Sequence, residues 1–148
     1  MKVAIQRLPH GADLPLPAYA TSGSAGLDLL STEECVIAPG KRALVATGIA
    51  IALPAGLEAQ VRPRSGLAIK SGITVLNAPG TIDCDYRGEV KVALINHSDT
   101  AFAISRGMKI AQLVVARYER VEWDETALPS SERGTGGFGS TGLHVEKT

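Results

Sequence analysis

Short runs of aliphatic and β-branched residues recur along the whole chain, separated by turn sequences that contain glycine or proline. The runs are KVAI, CVIA, ALVATGIAIAL, LEAQVRP, TVLN, EVKVALIN, AFAI and IAQLVVARY, and the turns include APGK, LPAG, APGT, YRGE, HSDT and SRGM. Many short strands at regular spacing are typical of a β-sandwich or a small barrel. The sequence therefore predicts an all-β fold. Aromatic residues make up only 4% of the chain, so we expect a core of Val, Ile, Leu and Ala.

One segment has helical character, SGLAIKSG at residues 65–72, where Ser65 could serve as the N-cap and Gly72 could end the helix. After Tyr118 the strand pattern fades, so the last part of the chain is expected to lie outside the core as an arm. A chain of 148 residues suits one domain. We predict a β domain at residues 1–122 and a C-terminal arm at residues 123–148.

The charge balance limits the classes of partner. Fifteen basic residues offset fifteen acidic ones, so no overall field would attract nucleic acid or an anionic membrane, and any phosphate site must be local. The N-terminus lacks the apolar run of a signal peptide, and no stretch approaches the ~18 apolar residues of a membrane span. We expect a soluble cytoplasmic protein. Cys35 and Cys84 are too far apart in sequence for a typical zinc motif and are expected to be free thiols.

The stretch RGTGGFGSTG at residues 133–142 admits several explanations. A dinucleotide fingerprint requires a preceding strand and a following helix, and a Walker A loop requires Lys and Ser/Thr where Leu143 and His144 stand. Both interpretations fail. A flexible linker remains possible from glycine content alone. Arg133 and Phe138 favour instead a lid that closes on a nucleotide, because guanidinium binds phosphate and a phenyl ring stacks on a base.

Two further stretches suit a nucleotide site. In SAGLDLLS, Asp28 lies among apolar residues and could either cap a turn or hold a hydrated metal ion. In RPRSGLAIKSG, Arg64 and Ser65 supply hydrogen-bond donors, and Gly66 admits close backbone contact. The alternative is an ordinary helix start beside a surface arginine.

The stretch NAPGTIDCDYRGEVKV contains two carboxylates. If this segment is extended, Asp83 and Asp85 face one side and Tyr86 the other. Two carboxylates near a phosphate require a divalent cation, or one of them acts as a base on water. An acidic surface turn is the alternative.

Together these stretches resemble the trimeric dUTPase family, whose five motifs occur once each and in order. They are AGLDLLS at residues 25–31, PRSGLA at 63–68, NAPGTIDCDYRGEV at 77–90, RGMKIAQLV at 106–114 and RGTGGFGSTG at 133–142. The resemblance covers nearly the whole chain. Cys84 and Met108 occupy spacer positions of the motifs.

The resemblance implies a jelly-roll-like β fold and hydrolysis of dUTP to dUMP and pyrophosphate. Asp83 would activate the water that attacks the α-phosphorus, and Asp28 would bind Mg²⁺ through water. The residues implied to hold the phosphate chain are Arg64, Ser65, Gly66, Gln112 and Arg133.

The resemblance also implies how the nucleoside is recognised. Tyr86 would lie under the deoxyribose and exclude a 2′-hydroxyl, and Phe138 would stack on uracil. A hairpin from Asn77 to Asp83, including Thr81 and Ile82, would read the base through its backbone, with Lys91 nearby. The family forms homotrimers whose sites combine three chains. Two rivals remain: a dCTP deaminase of the same fold, although residues 66–72 lack the glutamate it needs, and a non-catalytic nucleotide-binding module.

Overall fold

A computed structural model describes residues 1–138 and residue 140. In these residues the chain is built mainly from strands, with one short α-helix and a 3₁₀ turn at Pro9–Gly11. The strands are β1 (Ala4–Arg7), β2 (Leu27–Leu30), β3 (Cys35–Ile37), β4 (Arg42–Ala52), β5 (Leu57–Arg62), β6 (Ile73–Val75), β7 (Gly80–Ile82), β8 (Glu89–Asn96), β9 (Phe102–Ile104) and β10 (Lys109–Arg117), and the helix is α1 (Ser65–Ser71). The predicted all-β class is confirmed.

Two four-stranded antiparallel sheets organise the fold. The first has the strand order β1-β4-β8-β6 and the second has the order β2-β10-β5-β7, while β3 and β9 form a separate pair. One hydrophobic cluster draws on strands of both sheets and on the β3–β9 pair, with Leu29, Val45, Val92, Leu94 and Ile110 almost fully buried. The core therefore consists of close-packed aliphatic side chains, as expected from the low aromatic content.

The structure differs from the sequence prediction in several local features. Strands β2 and β7 were not predicted: β2 carries Asp28 among leucines, and β7 is a three-residue strand between Pro79 and Asp83. Helix α1 ends as predicted, with Gly72 in the left-handed conformation at φ 64°. Ser65, however, is the first helical residue and not the cap, because Arg64 occupies the N-cap position with extended backbone angles.

Arg106, in the fourth motif, holds the N-terminal segment against the sheets. Its guanidinium donates to the carbonyls of His10 and Thr32 and to the carboxylate of Asp13. The hydrogen bond from Arg106 lowers the pKa of the Asp13 carboxyl. This arginine therefore fixes the 3₁₀ turn at Pro9–Gly11, although the sequence alone gave it no role.

Residues 118–131 form neither helix nor strand. Three large apolar side chains in this segment, Val121, Trp123 and Leu128, are exposed, Trp123 to 92% of its surface. These apolar side chains therefore do not pack into a hydrophobic core among the described residues. A division between domain and arm at residue 122 remains a prediction. Within the described residues, no helix has the length and apolar character required to cross a membrane.

Asn96, at the end of β8, is fully buried and fully hydrogen-bonded. Its Nδ2 donates to the carbonyls of Ile37 and Thr100 at 2.8 and 2.7 Å, and its Oδ1 accepts from the backbone N–H and the hydroxyl of Ser98. One side chain thus connects β8, β3 and the turn before β9. Because those partners lose their hydrogen bonds if Asn96 is truncated, the position is sensitive to substitution.

We expect Asn96→Ala to lower the free energy of unfolding by about 2–4 kcal/mol, since it removes four hydrogen bonds at a buried site. Chemical denaturation at one fixed protein concentration measures the change. Asp99→Ala, an exposed position in the same turn, is the matched control and should shift stability by less than about 0.5 kcal/mol. Equal effects of the two variants would contradict the structural role of Asn96.

Candidate active site

Strand pairing in the second sheet aligns three polar residues across three strands. Gln112 of β10 lies opposite Asp28 of β2 on one side and opposite Arg62 of β5 on the other. Residues directly opposite each other in a ladder project to the same face of the sheet. This row lines a cavity of about 680 Å³, called here the basic cavity, whose wall also includes Arg64, Ser65, Gly66 and Lys70.

The Asp28 carboxylate is held between two cations at the basic cavity. Its Oδ1 lies 3.2 Å from Nε of Arg64, and its Oδ2 lies 2.7 Å from Nζ of Lys109. Nη1 of Arg64 also donates to the carbonyl of Lys109 at 3.1 Å. Asp28 thereby orients two positively charged side chains, and its side chain is only 19% exposed. The alternative role as a simple turn cap is wrong, because Asp28 lies within β2.

Gln112 is fixed by its neighbours. Its Nε2 donates to the carbonyl of Pro63 at 2.9 Å. The carboxamide also packs against Gly26, and a Cβ at that glycine would collide with Oε1 of Gln112. Gly26 is therefore required for the close approach that keeps the Gln112 carboxamide at the cavity wall.

Helix α1 presents the second motif to the same cavity. Arg64 precedes the helix, and Ser65 and Gly66 form its exposed first residues. Their position beside Asp28 and Gln112 brings together all four predicted phosphate-binding residues outside the arm: Arg64, Ser65, Gly66 and Gln112.

A second cavity of about 300 Å³, called here the acidic cavity, lies where β7 and β8 approach β4. It is lined by Leu44, Thr81, Ile82, Asp83, Tyr86, Glu89, Val90 and Lys91. Five of these residues were predicted to bind the nucleoside or to act on water: Thr81, Ile82, Asp83, Tyr86 and Lys91. The structure brings all five together.

Asp83 lies in a turn and not in an extended segment. The N–H of Tyr86 donates to the carbonyl of Asp83 at 3.2 Å, which closes a four-residue turn over residues 83–86. The expectation that Asp83 and Asp85 share one face of a strand is therefore wrong. Asp83 lines the acidic cavity, whereas Asp85 is not part of its wall.

Tyr86 is anchored although its side chain is 45% exposed. Its hydroxyl donates to the carbonyl of Glu89 at 3.0 Å, and its ring packs on Gly88, where an added Cβ would lie 2.5 Å from Cζ of the ring. Only glycine leaves this space. The ring is consequently held in place from one side by its own turn.

The segment before Asp83 is not a paired hairpin. Strand β6 pairs with β8 in the first sheet, whereas β7 pairs with β5 in the second, so residues 76–79 connect two sheets. Asn77 lies in this exposed connection and is not among the residues that line the acidic cavity. The predicted hairpin is therefore replaced by a crossing between sheets.

Two arm residues of the predicted site, Arg133 and Phe138, are described by the structure. Phe138 is fully exposed, and Nε of Arg133 donates to the carbonyl of Gly136 at 2.9 Å within the arm itself. Neither residue lines a described cavity. Gly139 and the residues from 141 onward, which complete the predicted lid, lie outside the described residues.

Four charged residues that sequence reasoning did not assign belong to these cavities or their supports: Arg62, Lys70, Glu89 and Lys109. Lys109 and Gln112 are three positions apart, which predicts opposite faces in a regular strand. A register shift between Lys109 and Ala111 places both on the side of Asp28. Arg62 could have been found from the alternation of β5 once its pairing with β10 was known.

The donor chemistry decides how a metal ion could bind. Among the described residues, no group of three or more His, Cys, Asp or Glu side chains is arranged to hold a metal. Asp28 is a single hard oxygen donor facing a cavity large enough for phosphates and water. Since both oxygens of Asp28 are already paired with Arg64 and Lys109, the arrangement fits a hydrated Mg²⁺ that Asp28 would hold through water.

Comparison with known proteins agrees with the fold and with the motifs. A sequence model of the dUTPase family matches residues 12–142. The chain is 56% identical over 147 residues to a deoxyuridine 5′-triphosphate nucleotidohydrolase of Methylocella silvestris, covering 96% of this chain and 92% of the relative.

Solved structures are similar over nearly the whole chain. The dUTPase of Staphylococcus bacteriophage 80alpha with dUPNHPP has a TM-score of 0.84 at 25% identity and covers 96% of this chain and 99% of its own. A mutant dUTPase of phage phi11 of S. aureus, described for the coordination of a structural Mg(II) ion, has a TM-score of 0.79 at 22% identity and covers 88% and 100%. The phi11 likeness is one of fold.

Proposed function

The chain belongs to the dUTPase family, and on that basis we propose that it hydrolyses dUTP to dUMP and pyrophosphate. The observation that carries the proposal is the division of the family's motifs between a basic cavity and an acidic cavity on one protomer. The basic cavity has the charge for a triphosphate. The acidic cavity has the size and the lining for a nucleoside beside a carboxylate.

The reaction needs a base, and Asp83 supplies it. Asp83 accepts a proton from water as the water attacks the α-phosphorus, and pyrophosphate leaves with the electron pair of the broken P–O bond. The carboxylate lies at the wall of the acidic cavity, next to Tyr86 and Lys91. This position brings it to the α-phosphate of a nucleotide whose base and sugar fill that cavity.

The phosphate chain binds the residues of the basic cavity. Arg64 and Ser65 donate to phosphate oxygens, and Gln112 adds a neutral donor at the cavity wall. Gly66 allows the backbone to approach, and Arg133 of the arm binds the γ-phosphate. Asp28 holds Arg64 and Lys109 in place before the substrate arrives.

The proposed cofactor is Mg²⁺, held through water by Asp28. When bound, Mg²⁺ offsets negative charge on the triphosphate oxygens. The protein's own contribution is to keep Asp28 fixed by two ion pairs and to surround the phosphates with cations.

Nucleoside selection depends on the acidic cavity and on the arm. Tyr86 lies under the deoxyribose and leaves no space for a 2′-hydroxyl. Backbone groups of Thr81, Ile82 and Asp83, at the wall of the acidic cavity, bind uracil beside Lys91. Phe138 stacks on the open face of the uracil ring. The phenyl ring of Phe138 is fully exposed in one protomer and is therefore free to stack on a base.

The active site forms between protomers of a homotrimer. The two cavities share no lining residue, and no arm residue up to Phe138 lines either of them. A ring of three chains brings the acidic cavity of one protomer to the basic cavity of the next, with the arm closing the site. We propose this arrangement for a cytoplasmic enzyme whose partner molecule is dUTP.

Product analysis with dUTP and dCTP tests the activity, and Asp83→Asn tests the base. We expect pyrophosphate and dUMP from dUTP, with kcat reduced about 10²- to 10⁴-fold in Asp83→Asn because general-base assistance is lost. Nucleotide affinity measured by calorimetry should change little. Asp85→Asn, in the same turn but outside the cavity wall, is the control and should retain activity. Release of ammonia from dCTP would overturn the assignment.

Mixing two inactive variants tests the shared site. Asp83→Asn damages the acidic cavity and Arg64→Ala damages the basic cavity. When the two trimers are dissociated and reassembled in equal amounts, about a quarter of the sites should combine an intact acidic cavity with an intact basic cavity. Hydrolysis rates before and after reassembly measure this recovery. Mixed trimers that stay inactive would show that both cavities of one chain serve the same site.

Removal of residues 133–148 tests the arm. We expect dUTP hydrolysis to fall by about 10²-fold, because substrate alignment and exclusion of water are lost. The β domain should keep its fold and trimeric mass, measured by circular dichroism and light scattering. The full-length double variant Arg133→Ala, Phe138→Ala should reproduce the loss, whereas full activity of the truncated chain would exclude a lid.

A further inference from the structure

A polar network at the wall of the acidic cavity centres on Glu89, whose side chain is 13% exposed. Its Oε1 accepts from Nε2 of His10 at 2.6 Å and from the N–H of Gly48 at 2.9 Å. Its Oε2 lies 3.7 Å from Nζ of Lys91. One carboxylate therefore connects the N-terminal 3₁₀ turn, the strand β4 and the wall of the cavity.

An irregularity in β4 explains why a carboxylate stands at this point. The pairing of β4 with β8 shifts between Ala46, which lies opposite Lys91, and Ala50, which lies opposite Glu89. Gly48, within the shift, has a φ of 69° and directs its N–H to the Glu89 side chain. The carboxylate thus replaces a ladder carbonyl where the two strands lose register.

Glu89 is ionised at neutral pH. Burial by itself would raise the pKa of Glu89, but the hydrogen bonds from His10 and Gly48 and the charges of His10 and Lys91 outweigh it and lower the pKa. The His10 ring nitrogen must donate to this carboxylate, since a carboxylate only accepts. The bonds to Glu89 are therefore charge-assisted and directional.

His10 is itself held firmly in place. Its carbonyl accepts from Arg106 at 2.8 Å, and the N–H of the nearby Leu8 donates to the carbonyl of Gly48 at 2.8 Å. The fourth motif and the β4 irregularity thus fix the turn that carries the imidazole. The imidazole in turn fixes the Glu89 carboxylate.

Two residues assigned to nucleoside recognition depend on Glu89. The Tyr86 hydroxyl donates to the backbone carbonyl of Glu89 at 3.0 Å, so the carboxylate influences Tyr86 through the backbone of residue 89. The Lys91 ammonium lies 3.7 Å from the carboxylate itself. A small displacement of Glu89 would move the Tyr86 ring away from the sugar. Discrimination against a 2′-hydroxyl needs that ring to be rigid, because exclusion of one oxygen atom depends on a steric fit.

We propose that Glu89 is a positioning residue, held by His10 and the Gly48 N–H, that sets the selectivity of the site for deoxyribose over ribose through Tyr86. This inference rests on the proposed dUTP hydrolysis. The carboxylate acts on Tyr86 by fixing the backbone of residue 89, whose carbonyl accepts a hydrogen bond from the Tyr86 hydroxyl.

The test compares kcat/KM for dUTP and for UTP in the wild type and in Glu89→Gln, Glu89→Ala and His10→Asn. We expect the preference for dUTP over UTP to fall at least about tenfold in Glu89→Ala, because the backbone carbonyl that holds Tyr86 is no longer fixed by the hydrogen bonds of the carboxylate to His10 and Gly48. Glu89→Gln and His10→Asn should lower it less. Their combination should be less than additive, because both break the same contact.

The control is Glu58→Gln, a carboxylate on β5 that accepts from Gln60 at 2.6 Å and lines neither cavity. It should leave the preference unchanged.

A purely structural role for Glu89 would lower Tm and reduce kcat/KM equally for both substrates. An unchanged preference in folded Glu89 and His10 variants therefore overturns the inference. If Glu89→Ala does not fold, Glu89→Gln and His10→Asn decide the question. If the wild type does not hydrolyse dUTP, the proposed function itself is wrong. If the wild type is active and the preference is unchanged in the variants, only the inference about Glu89 is wrong.

Discussion

Strand β10 is hydrogen-bonded on both edges, to β2 on one side and to β5 on the other, and the chemistry of the basic cavity follows from that double pairing. The registers place Asp28, Gln112 and Arg62 in one row. Strand β5 continues through Pro63 to Arg64 and helix α1, so the same register delivers the second motif to the row. A slip of one residue would turn every one of these side chains to the opposite face. Strand pairing, and not loop conformation, sets the position of the groups proposed to bind phosphate.

The Asp28 ion pairs show how the cavity remains stable without a ligand. Arg64 and Lys109 would repel each other if no anion lay between them, and the carboxylate removes that repulsion. The Asp28 carboxylate also reduces the net positive charge of the cavity. The electrostatic attraction for an anionic ligand is therefore weaker, but the cationic side chains are held in a fixed geometry. The two long side chains therefore lose their conformational entropy during folding and not during ligand binding.

The fold class could be predicted from the sequence because alternation and turn residues are local signals, and the motif residues could be named because their order is specific. The spatial arrangement of those residues could not be predicted from the sequence. Lys109 and Gln112 face the same side only because of a shift in the β10 register, and no residue type in the sequence predicts that shift. Asp83 and Asp85 were assigned to one face by assuming an extended backbone, whereas a turn separates them. The Glu89 carboxylate lies 41 positions from Gly48, a separation that pattern analysis does not bridge.

The exposed arm has a practical consequence, because Trp123 is the only tryptophan in the chain. Its indole lies on the arm, 92% exposed, and is therefore surrounded by water in the isolated protomer. Indole emission shifts to shorter wavelength when the ring moves into an apolar contact. The chain thus carries an intrinsic optical probe of its arm, read without labelling and free of signal from any other tryptophan. Arm docking could be followed in real time by stopped-flow fluorescence.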